Sequence, residues 1–257
     1  MSKYFSKTLR PVLPVATMIQ SNKTDLPFAA QDVMWDWFAF DVPNGACRLT
    51  SAVILVRGEN ASPQTDRDMQ LVFSKSDADG TAPTSLGTGN ATADGKGYYN
   101  NLLAHLVFDI TEFAIGLDYM SMATGGMGGE DALRTSRGGI ILQGEPNSGI
   151  NVGYDKLYCG GIAGASNAWD FATGVLLNDG TDVAEGDTAL VTDGVDADKV
   201  FAPGDVILKH DSDTVVGTIK SVSANLITLE SGSGVAISDD DELVNARPVT
   251  VILGFEQ

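Results

Sequence analysis

Residues 48–56 are Arg48-Leu49-Thr50-Ser51-Ala52-Val53-Ile54-Leu55-Val56. Valine, isoleucine and threonine favour strands because their branched side chains pack well on a pleated surface. Across most of the chain, apolar residues recur with a period of two, and this period predicts strands rather than helices. We therefore interpret 48–56 as a long strand and the chain as an all-β protein.

The same pattern continues on the C-terminal side of this strand. Further strands, each bounded by Gly, Pro, Asn, Asp or Ser, are predicted at 69–73, 105–110, 139–143 and 152–158. Two short segments, 98–103 and 111–117, have the length of one or two helical turns, with Thr111 as an N-cap. Strands joined by long polar loops favour a β-sandwich of jelly-roll type over 20–170, with an up-and-down barrel as the alternative.

A second domain is indicated by a change in charge near residue 170. Residues 1–169 contain 17 acidic and 12 basic side chains, whereas residues 170–257 contain 17 acidic and 4 basic ones. Short strands are then predicted at 188–191, 205–208, 215–222, 226–229, 235–237 and 249–253. Six short strands with tight turns predict a small acidic β-barrel at 171–257. The last strand, after Pro248, belongs either to this barrel or to the first domain.

Residues 1–19 are predicted to form an extended arm. Pro11 and Pro14 exclude a helix there. We expect the arm to dock either on a neighbouring subunit or on its own domain. The residues predicted to make contacts with a neighbouring subunit are Tyr4, Phe5, Leu9, Arg10 and Leu13.

Composition excludes several classes of protein. The chain has 257 residues, 43% of them apolar, and a net charge of −18 from 16 Lys plus Arg and 34 Asp plus Glu. A basic surface that neutralises phosphates is therefore absent, so nucleic acid is not an expected partner. No apolar run reaches the roughly 18 residues of a membrane helix. The run from Leu9 to Ile19 is broken by Arg10 and two prolines, so we expect no signal peptide and a protein that stays in the cytoplasm where it is made.

The sequence contains little that points to catalysis. Its two histidines, His105 and His210, fall one in each predicted domain, and no nucleophile motif accompanies either. Cys47 and Cys159 lie among small or apolar residues, which predicts two buried free thiols. We predict no enzyme activity, no catalytic residue, no metal site and no cofactor.

Two features of the sequence allow both a structural interpretation and a ligand-binding one. Asp239-Asp240-Asp241-Glu242 is interpreted as a solvated turn, with a weak divalent-cation site as the alternative. Trp35, Trp37 and Trp169 are residue types that could line a sugar site. Strand alternation places Trp35 and Trp37 on one face, and packing is the preferred interpretation.

Several segments together resemble a virion structural protein of a tailed bacteriophage, of the head-decoration (cement) type. They are Phe5-Ser6-Lys7-Thr8-Leu9-Arg10-Pro11, Gly95-Lys96-Gly97-Tyr98-Tyr99-Asn100-Asn101, Gly144-Glu145-Pro146-Asn147-Ser148-Gly149 and the C-terminal strands 204–208, 216–222, 227–229 and 241–243. The last group is similar to SH3-like barrels appended to phage structural proteins. The long spine helix of a major capsid protein is missing.

The resemblance implies a non-catalytic protein that binds and stabilises the outside of a capsid, located in the virion. It implies the major capsid protein or other virion proteins as partners, and a homotrimer. The capsid or subunit contacts it implies are Tyr4, Phe5, Leu9, Arg10 and Leu13. Two alternatives remain open at the level of sequence. One is another virion component, such as a tail-tube, neck or fibre-attachment protein, and the other is a carbohydrate-binding module.

Overall fold

A computed structural model describes residues 3–13, 28–58, 62–77, 81–94, 101–113, 115–117, 119–126, 140–165, 167–171, 174–178, 180, 182–194, 196–210 and 214–257. Strands dominate these residues, and the all-β prediction is confirmed. The strands of the first domain, β1 to β10, are Tyr4–Leu9, Val33–Pro43, Cys47–Arg57, Met69–Ser74, Leu102–Phe108, Ile115–Leu117, Met120–Gly126, Ile140–Leu142, Glu145–Pro146 and Tyr154–Ala163. The remaining strands, β11 to β17, are Val175–Leu177, Ala189–Asp193, Val206–Lys209, Thr214–Ser223, Leu226–Leu229, Glu242–Asn245 and Val249–Glu256.

Two sheets form a sandwich. The first has the order β1-β17-β3-β7-β6, with β8 also paired to β3, and the second has the order β2-β10-β4-β5, with β9 also paired to β10. Numbering the long strands β1, β2, β3, β4, β5, β7, β10 and β17 from one to eight gives the orders 1-8-3-6 and 2-7-4-5. This is the order of a jelly roll, so the predicted sandwich is confirmed.

The barrel is an insertion in this sandwich. Strands β11-β12-β15-β14-β13-β16 close on themselves between β10 and β17. The last strand, left open by the sequence, returns to the sandwich, where it lies between β1 and β3. The predicted strand at 235–237 is reduced to a single bridge between Val183 and Ile237. Its place in the barrel is taken by β16, which begins at Glu242, the last residue of the acidic run.

The sandwich core follows from strand alternation. In β3, Leu49, Ala52, Ile54 and Val56 are buried, and residues between them are partly exposed. An aromatic group closes the end of the core nearest the barrel, where the Phe113 and Trp169 rings lie 5.0 Å apart edge to face. The barrel has a separate core of aliphatic residues and Phe201.

A buried carboxylate joins the two domains. Asp205, in the turn before β13, is fully buried and forms ion pairs with Arg10 and Arg57, which follow β1 and end β3. Its second oxygen also accepts a hydrogen bond from the Asn245 side chain (2.9 Å). The backbone N–H of Leu13 donates to the carbonyl of Ala246 (3.0 Å). These contacts fix the barrel to one end of the sandwich.

The predicted common face of Trp35 and Trp37 is wrong. Trp35 lies in the sandwich core, whereas Trp37 packs against the outer face with Leu86. The reason is a register shift of β2 against β10, where Trp35 pairs with Gly161 and Phe38 with Cys159. An extra residue in one strand reverses the side-chain alternation.

The predicted helical turns are not present in the described residues. Asp109 accepts hydrogen bonds from the N–H and hydroxyl of Thr111 (2.7 and 2.6 Å), and its carbonyl accepts one from the N–H of Glu112 (3.1 Å). This turn sends the chain into strand β6, which pairs with β7. Of the other segment, residues 102 and 103 begin β5, and 98–100 lie outside the described residues. One helix is described within the barrel, α1 (Ala197–Val200).

Candidate interaction surface

The described part of the predicted arm, residues 3–13, lies on its own domain. Strand β1 pairs with β17 from Tyr4 opposite Glu256 to Leu9 opposite Val251. Leu9 and Leu13 are 2% and 1% exposed and belong to the sandwich core. Residues 1, 2 and 14–19 of the predicted arm lie outside the described residues.

The five predicted contact residues therefore differ in their contacts and in their exposure to solvent. Arg10 forms an ion pair with Asp205 at the junction between sandwich and barrel. The Phe5 ring stacks on Phe255 with 5.2 Å between ring centroids. Tyr4 alone among the five is exposed, at 73%. A contact between these residues and a neighbouring subunit stays a prediction, with Tyr4 as the accessible member.

Strand register defines the end of the sandwich at which Tyr4 lies. Arg57 and Val249 mark the ends of β3 and β17 nearest the barrel. At the opposite ends of these strands, Arg48 pairs with Glu256, and Glu256 with Tyr4. We call this second end, with the turn 44–46 and the loop 147–153, the barrel-distal end.

The barrel-distal end carries a concentration of exposed apolar side chains. Elsewhere in the described chain, the exposed large hydrophobic residues are spread over the barrel and the junction, where Val191 lies opposite Leu226 on neighbouring strands. Single or paired residues of that kind are normal, whereas a larger group at one end indicates an interaction surface. The group consists of Tyr4, Leu102, Ile141, Ile150, Val152 and Tyr154.

The loop 147–153 projects from this end and is held by hydrogen bonds at its base. The N–H of Asn147 donates to the carbonyl of Tyr154 (2.8 Å), and the N–H of Asn44 donates to the carbonyl of Gly153 (3.0 Å). The Asn147 side chain donates to Asp41 (2.7 Å). Between these ties, a single 3₁₀ turn at Gly149–Asn151 leaves Ile150 completely exposed and Val152 71% exposed.

A cleft lies on the other layer of the sandwich at the same end. Its volume is about 290 Å³, and it is lined by Ala46, Cys47, Arg48, Ile141, Glu256 and Gln257. Arg48 and Glu256, partners on adjacent strands, form an ion pair of 3.5 Å in its lining. The Tyr4 hydroxyl donates to Glu256 (3.1 Å), and this hydrogen bond to a carboxylate raises the pKa of Tyr4. The cleft therefore has an apolar wall at Ile141 and a polar rim of both signs.

Charge separates the barrel from the barrel-distal end. The segment 175–245 contains 15 acidic and 3 basic residues. At the barrel-distal end, acidic and basic side chains are mixed and paired, as in Lys75 and Glu145 at 3.0 Å. The segment 146–154 has no charged residue at all. One end of the molecule is thus strongly acidic and the other is apolar and close to electrically balanced.

In the acidic run, Asp239 and Asp240 are exposed in a turn, whereas Asp241 and Glu242 are held by local contacts. Asp241 accepts from the N–H of Ser238 (2.6 Å) and forms an ion pair with Lys209 (2.5 Å). Glu242 accepts from the N–H of Gly174 (2.7 Å) and lies 3.5 Å from His210. In the part of the chain that the structure describes, no three His, Cys, Asp or Glu side chains converge as metal ligands.

The remaining reactive side chains are one exposed histidine and two buried cysteines. His105 is an exposed strand-face residue of β5, as predicted. Cys47 and Cys159 are buried free thiols, also as predicted. Burial raises the pKa of Cys47 to about 11 and raises that of Cys159 as well. No helix in the described residues has the length and apolarity needed to cross a bilayer.

The tryptophans do not form an open sugar platform. Trp169 is fully buried, and its indole N–H donates to the carbonyl of Asp68 (2.7 Å). Trp35 is buried, and the Trp37 N–H donates to the carbonyl of Thr84 (2.8 Å). The preference for packing over binding agrees with these positions.

Sequence reasoning missed two features. Ile150 and Val152 alternate with asparagine and glycine, which was interpreted as the start of a strand at 152 rather than as a projecting loop. The signal available was the absence of charge over 146–154. Asp205 was predicted as the first residue of the strand 205–208, whereas it lies in the turn before β13, and nothing local in the sequence indicates its burial.

Comparison with known proteins gives little. No protein-family model and no curated protein matches the chain. Among solved structures, it is similar to infectious bursal virus-derived T=1 particles (10% identity, TM-score 0.16, 99% of this chain and 40% of that chain covered). It is also similar to the Gx strain of infectious bursal disease virus (10% identity, TM-score 0.15, 99% and 42% covered). The chain spans about two fifths of the length of those chains. Scores this low do not establish a common fold.

Proposed function

We propose that this chain is a non-catalytic virion structural protein of the decoration type, which binds the outside of a capsid through its barrel-distal end. The barrel then projects away from the shell. The proposed partners are the major capsid protein or other virion proteins, and the proposed assembly is a homotrimer. Neither a cofactor nor a metal has a role in this function.

The observation that carries the proposal is the separation of the apolar end from the acidic end. A protein that covers a lattice in many copies needs an attachment surface of low charge, where burial of apolar area stabilises the contact. It also needs an outer part that stays soluble and does not adhere to its neighbours. A strongly acidic barrel meets this second requirement because like charges repel.

The fold is compatible with this function but does not specify it. Jelly rolls occur in viral capsid domains, and also in lectins and cupins. The barrel is inserted between the seventh and eighth strands of the sandwich and is fixed by Asp205. A rigid connection of this kind keeps the barrel directed away from the attachment surface.

The test is to quantify the chain by mass spectrometry in particles purified from cultures in which it is made. Decoration of a lattice gives hundreds of copies per particle, whereas a neck or fibre-attachment component gives about six to twelve, as set by the symmetry of its ring. A chain absent from purified particles would overturn the proposal. A count of about a dozen would replace decoration by the neck or fibre alternative.

Attachment itself can be tested with two matched variants. Tyr4→Asp places a charge on the barrel-distal end, and Leu226→Asp places one on an exposed site of the barrel. We expect Tyr4→Asp to remove the chain from particles and Leu226→Asp to leave the copy number unchanged. The reverse result would show that the barrel, rather than the barrel-distal end, makes the attachment.

A further inference from the structure

We propose that copies of this chain associate head to tail, with the loop 147–153 of one copy inserted in the cleft beside Ile141 of the next. Ile150 and Val152 supply the apolar knob, and Ile141 with Cys47 supplies the apolar wall and floor of the cleft. This contact specifies how the proposed homotrimer is built. It is tested in solution without any particle, so it can fail independently of the virion assignment.

The loop is suited to binding because its apolar side chains are exposed and its backbone is already held. The ties from Asn147 and Asn44 fix both sides of the 3₁₀ turn. A segment that is ordered before binding loses little conformational entropy when it binds. Two exposed aliphatic side chains on an ordered loop therefore gain from insertion into an apolar cleft.

The chain cannot fill its own cleft with this loop. The loop follows β9 and leads into β10, which belong to one sheet, whereas the cleft is lined by β3, β8 and β17 of the other. Packed sheets are about 10 Å apart, and the loop is tied to its own sheet at Asp41. Knob and cleft therefore face different neighbours.

The charge distribution favours a second copy of the chain as the occupant. A basic partner would be attracted to the barrel, with its 15 acidic and 3 basic residues, rather than to this end. Two copies of the chain repel each other through their barrels, so they approach best at their barrel-distal ends. There the inserted segment is uncharged, and the rim of the cleft carries Arg48 paired with Glu256.

Using different surfaces on the two partners makes the contact heterologous. Heterologous contacts form a ring when the rotation between copies closes. The ring places all barrel-distal ends around one axis and separates the acidic barrels. This arrangement is consistent with the apolar end being the common base of the assembly.

The test is the mass of the full chain in solution by light scattering and sedimentation equilibrium. Three single variants are compared with the parent: Ile150→Asp in the knob, Ile141→Asp in the cleft and Val215→Asp on the barrel. All three positions are exposed, at 101%, 67% and 54%, so the fold is expected to tolerate the changes, and circular dichroism checks this. We expect an oligomer for the parent and for Val215→Asp, and 26.9 kDa monomers for the other two.

Mixing the two monomeric variants tests the head-to-tail geometry. Ile150→Asp retains an intact cleft, and Ile141→Asp retains an intact knob, so one productive contact per pair remains. The mixture should form a 1:1 dimer that does not grow further. A parent that is still monomeric at about 100 µM overturns the proposal, because its free energy of association is then weaker than about 5–6 kcal/mol. So does an oligomer unaffected by Ile150→Asp, or a mixture that stays monomeric.

Discussion

The Arg10 guanidinium forms an ion pair with the fully buried carboxylate of Asp205, although the two residues lie 195 positions apart in the chain. Arg10 follows the first strand of the sandwich, and Asp205 belongs to the barrel. Arg57 contributes a second positive charge to the same carboxylate, at 3.6 Å. The barrel is therefore attached to the sandwich by a charged contact, and the carboxylate in this contact is excluded from solvent.

Replacement of Asp205 by alanine should destabilise the protein strongly. The substitution leaves Arg10, Arg57 and the Asn245 amide without their acceptor, a loss of about 2–4 kcal/mol in the free energy of unfolding. Urea denaturation followed by circular dichroism measures this loss. The control is Asp239→Ala at an exposed turn, expected to change stability by less than about 0.5 kcal/mol. Equal effects of the two substitutions would contradict the role of Asp205.

Residues of the N-terminal segment should contribute to stability in proportion to their burial. Leu13→Ala removes a side chain that is 1% exposed and should cost about 2–4 kcal/mol. Val12→Ala changes a neighbour that is 53% exposed and should cost less than about 0.5 kcal/mol. Thermal unfolding of both variants compares them directly. A Leu13→Ala protein as stable as the parent would show that this segment is a free arm.

Gly174 should not tolerate a side chain. A Cβ atom at this position would lie 1.9 Å from the carbonyl oxygen of Leu243, so the backbone leading into the barrel would have to move. We expect Gly174→Ala to cost about 1–3 kcal/mol. At Gly217, the nearest atom to an added Cβ is the end of the Leu229 side chain at 3.2 Å, so Gly217→Ala should cost less. Urea midpoints of the two variants give the comparison, and a more harmful change at Gly217 would refute it.

The buried thiols make the stability of the protein change with pH in the alkaline range. An unfolded cysteine has a pKa of about 8.5, whereas the folded pKa of Cys47 is about 11. The native state therefore keeps a proton that the unfolded state loses above about pH 8.5. Stability from this group is complete below that pH and decreases as the pH rises toward 11.

Two measurements check the behaviour of the thiols. The urea midpoint should fall with rising pH between about pH 8 and pH 10.5, a range set by the thiol pKa values. The fall should be less steep for Cys47→Ala than for the parent. At pH 8, a thiol-specific reagent should label neither cysteine in the native protein and both in urea, because both are buried. Rapid labelling of the native protein would show that at least one of the two thiols is accessible.

The sequence predicted the features that depend on local pattern. Strand β3 was predicted from its apolar and β-branched residues, and the sandwich followed from several strands of this kind. What alternation does not specify is the partner of a strand. The segment 249–256 alternates regularly, and only the structure shows that it joins β1 and β3 rather than the barrel.

Features that depend on contacts between distant residues were not predictable. The bulge that separates Trp35 from Trp37 arises in the pairing of β2 with β10, and neither strand shows it alone. Asp205 is buried only because two arginines from the sandwich meet it. At the barrel-distal end, Tyr4 was predicted, whereas Ile141 and Ile150 come from separate segments that only folding brings to one end.

The insertion of the barrel before β17 also sets an order of events in folding. All six barrel strands lie within residues 175–245, so the barrel closes through contacts between nearby segments. In contrast, Tyr4 and Glu256 are 252 positions apart, and β1 has no partner in its sheet until β17 arrives. Distant contacts form slowly because a long loop must close first. We expect the barrel to form before β1 pairs with β17, so that completion of the sandwich is the slow step in folding.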